Sequence, residues 1–335
     1  MATWFIDRPE RRSLEGDVAQ IDVWLAHGKL RVVGADGPPR IEVGRVGRRG
    51  LTISHEAGVL SVRHEMRRSW FRWTGPFWWF TAGRRSYDAD ITIAVPPTAT
   101  GSLTVISGSI VASGLRRGAT VDVTSGSITL MGLGGTVRAT TVSGSIEALG
   151  VGGDLGMSTV SGEISLADSS AERVRARTIS GAVTCDLDNP FARDLRLDTT
   201  SGEITVRVPE DADLTVNLNA VSGRVTSAFP QVRRVRLPGL HAANGVIGSG
   251  RGVLNAYAVS GSVLLLARPV EDFSEAPRAG GPETETPVPD GPEADGPKAG
   301  GPETETAVPD GHETDWPKAE GHEADGPTAD GGGTR

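Results

Sequence analysis

Cysteine is almost missing from this 335-residue chain: Cys185 stands alone, which excludes an intramolecular disulfide and suits a reducing compartment. No apolar run approaches the ~18 residues that cross a bilayer as a helix. Residues 1–25, interrupted by Asp7, Arg8, Glu10, Arg11, Arg12, Glu15 and Asp17, hold no leader-like stretch, so the expected location is the cytoplasm. Histidines are few (His27, His55, His64, His241, His312 and His322), and none stands at metal-ligand spacing. Gly132–Gly135 lacks a following Lys-Ser/Thr, and no Gly-x-Ser-x-Gly elbow occurs, which removes the phosphate-loop and serine-hydrolase readings. Neither a cofactor, nor a metal, nor an enzymatic activity is expected.

Glycine, by contrast, is abundant and periodic. Ser-Gly pairs end at Gly108, Gly126, Gly144, Gly162, Gly181, Gly202, Gly223 and Gly261, spaced by 18, 18, 18, 19, 21, 21 and 38 residues. Asn244-Gly245 divides the last gap into 22 and 16, and with Gly245 included the corners number nine. Two residues after every one stands Ile or Val: Ile110, Ile128, Ile146, Ile164, Val183, Ile204, Val225, Ile247 and Val263. Five residues before lies a mostly apolar column: Leu103, Val121, Ala139, Met157, Ala176, Leu197, Leu218, Leu240 and Ala256. About 18 residues are too few for a helix–strand unit but enough for short strands with tight corners. Alternation such as Gly126-Ser127-Ile128-Thr129-Leu130 is strand patterning. The corner needs positive φ, hence Gly or Asn. The expected fold is all-β: a single-domain β-solenoid of about nine coils, with Cys185 in the same inward column as Leu130, Leu166, Val206 and Leu265.

Residues 1–17 are expected to be a flexible lead-in, and 18–97 a β-rich cap without the Ser-Gly register, leaving through Val95-Pro96-Pro97. The solenoid occupies 98–268. Residues 269–335 form an acidic Pro/Gly-rich tail, expected to be disordered, in which Gly281-Pro282-Glu283-Thr284-Glu285-Thr286 returns at 301–306. From 275 on there are 15 acidic and 4 basic residues, or −11, so with −8 overall residues 1–274 carry +3.

Within the cap, residues 67–85 gather Trp70, Phe71, Arg72, Trp73, Phe77, Trp78, Trp79 and Phe80 between Arg67-Arg68 and Arg84-Arg85. Aromatics between basic residues suit a membrane interface or a protein hot spot, and they also suit a plug over the open end of the solenoid. Nucleic acid is not expected, because the body is only weakly basic and the tail acidic. Glu163 and Glu203, two coils apart, are the one pair that could be imagined acting on a sugar; solvated surface is the simpler reading.

The irregular β start, the Val-Pro-Pro lead-in and the repeated Thr/Val-Ser-Gly-Ser/Glu-Ile coils resemble the bacterial "putative adhesin" β-strand-repeat domain family of unknown function, over roughly residues 18–267. The resemblance implies a right-handed β-helix without established catalytic residues, some relatives being associated with envelope-stress systems. The expected function is a non-enzymatic scaffold presenting the solenoid and the aromatic loop to an unidentified protein partner or a membrane surface, from the cytoplasmic side. A self-assembling structural protein resembling bactofilins is the alternative, and a carbohydrate-active solenoid enzyme a third.

Overall fold

The structure, a computed structural model, describes residues 2–64, 87–190, 192–237 and 239–269. The aromatic run and the acidic tail lie outside them. Among the described residues there is no helix, and the strands form one extensive, β-helix-like sheet system.

In chain order the strands are β1 (Ala2–Ile6), β2 (Glu10–Ser13), β3 (Gln20–Gly34), β4 (Arg40–Val46), β5 (Leu51–Glu56), β6 (Val59–His64), β7 (Asp88–Val95) and β8 (Thr100–Ser113). Pairs of shorter strands follow: β9 (Gly118–Ser125) with β10 (Ile128–Met131), β11 (Thr136–Ser143) with β12 (Ile146–Leu149), and β13 (Gly153–Ser161) with β14 (Ile164–Ser169). Next come β15 (Ala171–Ser180) with β16 (Val183–Leu187), β17 (Asp194–Ser201) with β18 (Ile204–Pro209), and β19 (Leu214–Ser222) with β20 (Val225–Ser227). The last four are β21 (Arg233–Leu237), β22 (Leu240–Ile247), β23 (Gly252–Ser260) and β24 (Val263–Arg268).

Each coil contributes one strand before its Ser-Gly corner and one after it, and each strand pairs in parallel with its counterpart in the next coil. Val121 thus stands beside Ala139 and Ala139 beside Met157, while Ile128 stands beside Ile146 and Ile146 beside Ile164. Identical inward positions therefore stack, and the columns five before and two after the corner are buried from Leu103 to Met157 and from Ile110 to Ile204. A third column, Leu115, Leu133 and Val151, closes the core between coils. Burying one such Ile or Leu contributes about 1.5–3 kcal/mol; the repetition of one position along the stack makes the core continuous.

Chain order and stacking order part company at both ends. β17 and β18 pair not with β19 and β20 but with β23 and β24, which in turn carry β19 and β20 on their far side. The last segment of the body is therefore threaded between two earlier ones. Asp213 pins this excursion: Ser249 Oγ donates to its carboxylate at 2.9 Å, Arg251 N donates at 3.2 Å, and Arg251 Nε pairs with it as well. At the other end β3 pairs with β8 on one side and with β6 and β7 on the other. Both ends then finish in antiparallel strands, β5–β1 and β4–β2 at one, β22–β21 at the other.

Three expectations need correction. Residues 2–6 and 10–13, read as part of a flexible lead-in, form β1 and β2 because Ile6 and Leu14 are buried in the core and Trp4 packs partly against it. Gly245 is not a corner: it lies inside β22, antiparallel to β19, and has no positive φ. The cap does share the register, since Gly28 aligns with Gly108 and has φ 130°.

Candidate functional site

The Ser-Gly corners form one edge of the molecule. In stacking order its glycines are Gly28, Gly108, Gly126, Gly144, Gly162, Gly181, Gly202, Gly261 and Gly223, all with φ between 130° and 157°. Conformation is only half of the requirement. A Cβ on Gly126 would fall 1.7 Å from the Gly108 carbonyl oxygen, on Gly144 1.8 Å from that of Gly126, and on Gly261 1.7 Å from that of Gly202. Glycine backbones lie directly on one another, and no side chain fits between. Backbone bonds run along the edge: Gly126 N donates to Ser143 O at 2.8 Å, Gly144 N to Ser161 O at 2.9 Å, and Gly202 N to Ser260 O at 2.9 Å.

Just inside the edge, a column of threonines is buried where apolar residues stand in other coils: Thr141, Thr159, Thr178 and Thr199. Three donate to the corner glycine carbonyl one coil back: Thr159 Oγ1 to Gly144 O at 3.4 Å, Thr178 Oγ1 to Gly162 O at 3.3 Å, and Thr199 Oγ1 to Gly181 O at 3.2 Å. Thr141 Oγ1 has no hydrogen-bond partner among the described residues.

On the outside runs an apolar stripe: two residues before the glycine, six of the eight Ser-Gly corners carry an apolar residue and two carry Thr124 and Thr200. Val142, Val160 and Ile179 are 50%, 44% and 52% exposed on neighbouring strands, and Val259 and Val221 continue it beyond Thr200. Beside it lies the exposed serine column from Ser125 to Ser260. Scattered exposed apolar residues are ordinary; a contiguous file of them marks a contact surface.

At its N-terminal end the file reaches Ala26 of β3. In the adjoining layer Arg63 stands opposite Trp24 and Asp88 opposite His27, so the chain departs at His64 and returns at Tyr87 opposite that same corner. The aromatic residues Trp70, Phe71, Arg72, Trp73, Phe77, Trp78, Trp79 and Phe80 lie outside the described residues, but both ends of their segment are anchored here. His64 is buried, accepts a hydrogen bond from Ala26 N on Nδ1 at 3.2 Å, and meets Tyr87 edge-on with ring centroids 5.8 Å apart. Burial lowers its pKa to about 4, with Asp88 pulling the other way. His64 Nε2 and His27 Nδ1 have no partner among the described residues.

The remaining candidates come out as follows. Glu163 and Glu203 are exposed, with Ala182 at the same place after the corner of the coil between them. Burial pushes the Cys185 thiol up to about 12, which keeps it protonated and unreactive. Arg173 binds Asp154 through Nε at 2.7 Å and Nη2 at 2.6 Å, and that hydrogen bond chiefly holds the carboxyl below its usual range; the pair is solvent-facing, as are Arg175–Asp194 and Arg177–Asp198. No helix of the described residues is long and apolar enough to cross a membrane.

The sequence reading missed the stripe and the threonine column, although the signal was present. The positions two and three before each Ser-Gly glycine carry Val-, Ile- or Thr-type residues in nearly every coil, which a tally of corner neighbours would have shown.

Solved structures resemble the chain at low identity. A "putative adhesin" from Bacteroides fragilis NCTC 9343 is 13% identical over 78% of this chain and 98% of its own, with a TM-score of 0.38. A "putative lipid binding protein" from Parabacteroides distasonis ATCC 8503 is 12% identical over 78% and 95%, with a TM-score of 0.23. A "putative cell adhesion protein" from Clostridium sporogenes ATCC 15579 is 10% identical over 78% and 99%, also with a TM-score of 0.23. No curated protein matches the sequence. A family model does, over residues 58–265, from the strand before the aromatic segment to the inserted last strand pair: the chain belongs to the Toastrack DUF4097 family.

Proposed function

We propose that this protein is a right-handed β-solenoid scaffold of about nine Gly-cornered coils, without enzymatic activity, whose Ser-Gly edge contacts an anionic membrane surface from the cytoplasmic side. The observation that carries the reading is positional: the exposed file of Val142, Val160 and Ile179 runs toward the corner from which the aromatic, arginine-flanked segment departs. At about 4.8 Å per strand, the column from Ile106 to Val221 extends on the order of 35 Å. A narrow β-branched file contributes apolar contact along its length, while Trp and Phe between arginines add interfacial anchoring that weakens in salt. End-to-end self-assembly has less support, because antiparallel strands finish the stack at β5–β1 and β4–β2 and, in the layer before the corners, at β22–β21.

Co-sedimentation with vesicles containing an anionic lipid tests this. The wild type is expected to pellet with them. Combined Val142→Ser, Val160→Ser and Ile179→Ser substitutions are expected to weaken binding severalfold with an unchanged melting temperature, because the three side chains are half exposed. Wild-type protein that stays in the supernatant, with vesicles present at low salt, would remove the membrane reading. Retention by the triple variant of full binding would remove the stripe from it.

A further inference from the structure

A second surface lies at the opposite end of the stack, where the corner edge finishes at Gly223. The strands that precede the corners extend outward as β19, β22 and β21, whereas those that follow the corners stop at β20, which is only three residues long. This step leaves an open groove of about 740 Å³, floored by Val263 and Leu264 and walled by Arg224, Arg234 and His241, with Glu203 the one acid lining it. Arg234 Nη2 reaches Thr226 Oγ1 at 3.5 Å, and neither Arg224 nor Arg234 has an ion-pair partner among the described residues. Beside the groove, β21 pairs with β22 alone, so its outer edge is free among the described residues. It reads Arg233-Arg234-Val235-Arg236-Leu237, with Arg233 and Arg234 exposed and Val235 39% exposed.

A free strand edge offers a row of backbone donors and acceptors to any extended chain. Arginines along it repel a second copy of the same edge and favour a strand of opposite charge. We infer that this step is a docking site for an extended acidic segment of a separate protein, which adds to β21 by main-chain pairing and sets its carboxylates against Arg224 and Arg234, the arginines that line the groove. A peptide alternating acidic and β-branched residues fits best, because strand alternation puts Arg234 on one face of β21 and the 39% exposed Val235 on the other.

The probe is a short fluorescent peptide of alternating Glu and Val, titrated with the full chain and followed by anisotropy. Saturable binding that weakens as salt rises is expected. The pair Arg224→Glu with Arg234→Glu is expected to weaken it at least about tenfold without shifting the melting temperature, since both side chains are exposed. The same peptide N-methylated at alternate residues keeps its charge but cannot pair as a strand, and it is expected not to bind. Equal binding of the methylated peptide, or of the charge-reversed variant, would overturn the proposal. A chain ending at Pro269, once shown to melt like the full chain, is expected to bind the peptide unchanged; tighter binding after truncation would show that residues 275–335 compete for the site and overturn the separate partner, and no binding by either form overturns the site. Vesicle binding through the corner edge is read separately and stands or falls on its own.

Discussion

A Cβ built on Gly126, Gly144 or Gly162 would lie 1.7–2.0 Å from the carbonyl oxygen of the glycine one strand away. At the second corner of the same coils, Gly132 has nothing within 4 Å, and Gly150 meets only a backbone nitrogen at 3.9 Å. Both corners have positive φ, about 135–153° at the first, but 58° and 61° at Gly132 and Gly150. The first corner is glycine because backbones touch there. The second is glycine only because its conformation is left-handed, and eighteen residues beyond Gly150 the same place is filled by Asp168 at φ 47°. One corner is therefore uniform along the stack and the other drifts.

The largest effect should come from breaking the first corner in the middle of the stack. Gly144→Val or Gly162→Val places a β-branched side chain in a forbidden conformation and into a neighbouring carbonyl, and inner coils cannot fray to relieve it. A loss upward of about 3 kcal/mol is expected, with cooperative melting abolished in the limit. Ser145→Ala, one residue on, should melt within error of the wild type. Equal melting of Gly144→Val and Ser145→Ala would remove backbone contact as the reason for the ladder.

The uniform corner is also what made the fold legible. Its period located every strand pair from β8 to β18, and the columns around it identified the core before any coordinates. The same period misled where identity of spacing was not identity of place. Asn244-Gly245 has the right chemistry and the right Ile247 two residues on, yet it belongs to an antiparallel strand. Gly28, preceded by His27 rather than Ser, is a true member of the ladder. Stacking order was not legible at all: a repeat says that coils are equivalent, not which two are neighbours, and the insertion of β23 and β24 is settled by long-range pairing and the Asp213 tether. The stripe was overlooked because exposed β-branched residues look like strand alternation until the strands are aligned.

The ladder ends on Ala89, whose carbonyl lies 1.9 Å from where a Gly28 Cβ would be, and β6 of the same coil closes on the buried His64. Because its folded pKa is about 4 against an ordinary 6.5, the folded state resists protonation. The unfolded chain binds more protons between those values, so this contribution is complete above pH 6.5, declines as pH falls, and levels off below about 4. Its size is on the order of 3 kcal/mol. His64→Gln, which keeps an acceptor for Ala26 N, should flatten the dependence of stability on pH in that window, measured by denaturant melts. A variant with the wild-type slope would show that His64 titrates normally in the fold.

A smaller contrast lies inside the edge. Thr178→Val removes a hydroxyl bonded to the Gly162 carbonyl, whereas Thr141→Val removes one that is buried without a partner among the described residues. The first should cost up to about 1 kcal/mol and the second should stabilise by a similar amount, a difference of sign at equivalent positions. The same sign for both would mean that the threonine–glycine bonds contribute nothing to the stiffness of the edge.

The smallest effect should be found at the second corner, and it is the sharpest check of the comparison. Gly132→Asn puts a residue that tolerates left-handed φ where the backbone already has 58° and where nothing stands within 4 Å. The gain from reducing unfolded-chain freedom and the residual cost of the conformation are each below about 1 kcal/mol and opposed, so the melting temperature should barely move. Asp168 shows that the position accepts such a residue, since it holds φ 47° while its carboxylate meets Arg268 at 3.5 Å. The same Asn placed at Gly126 meets a φ of 135°, which only glycine adopts readily, and has no space beside the Gly108 carbonyl, so it should be nearly as damaging as valine at Gly144. If Gly132→Asn and Gly126→Asn destabilise equally, neither the wider φ nor the backbone contact sets the Ser-Gly edge apart from the second corner.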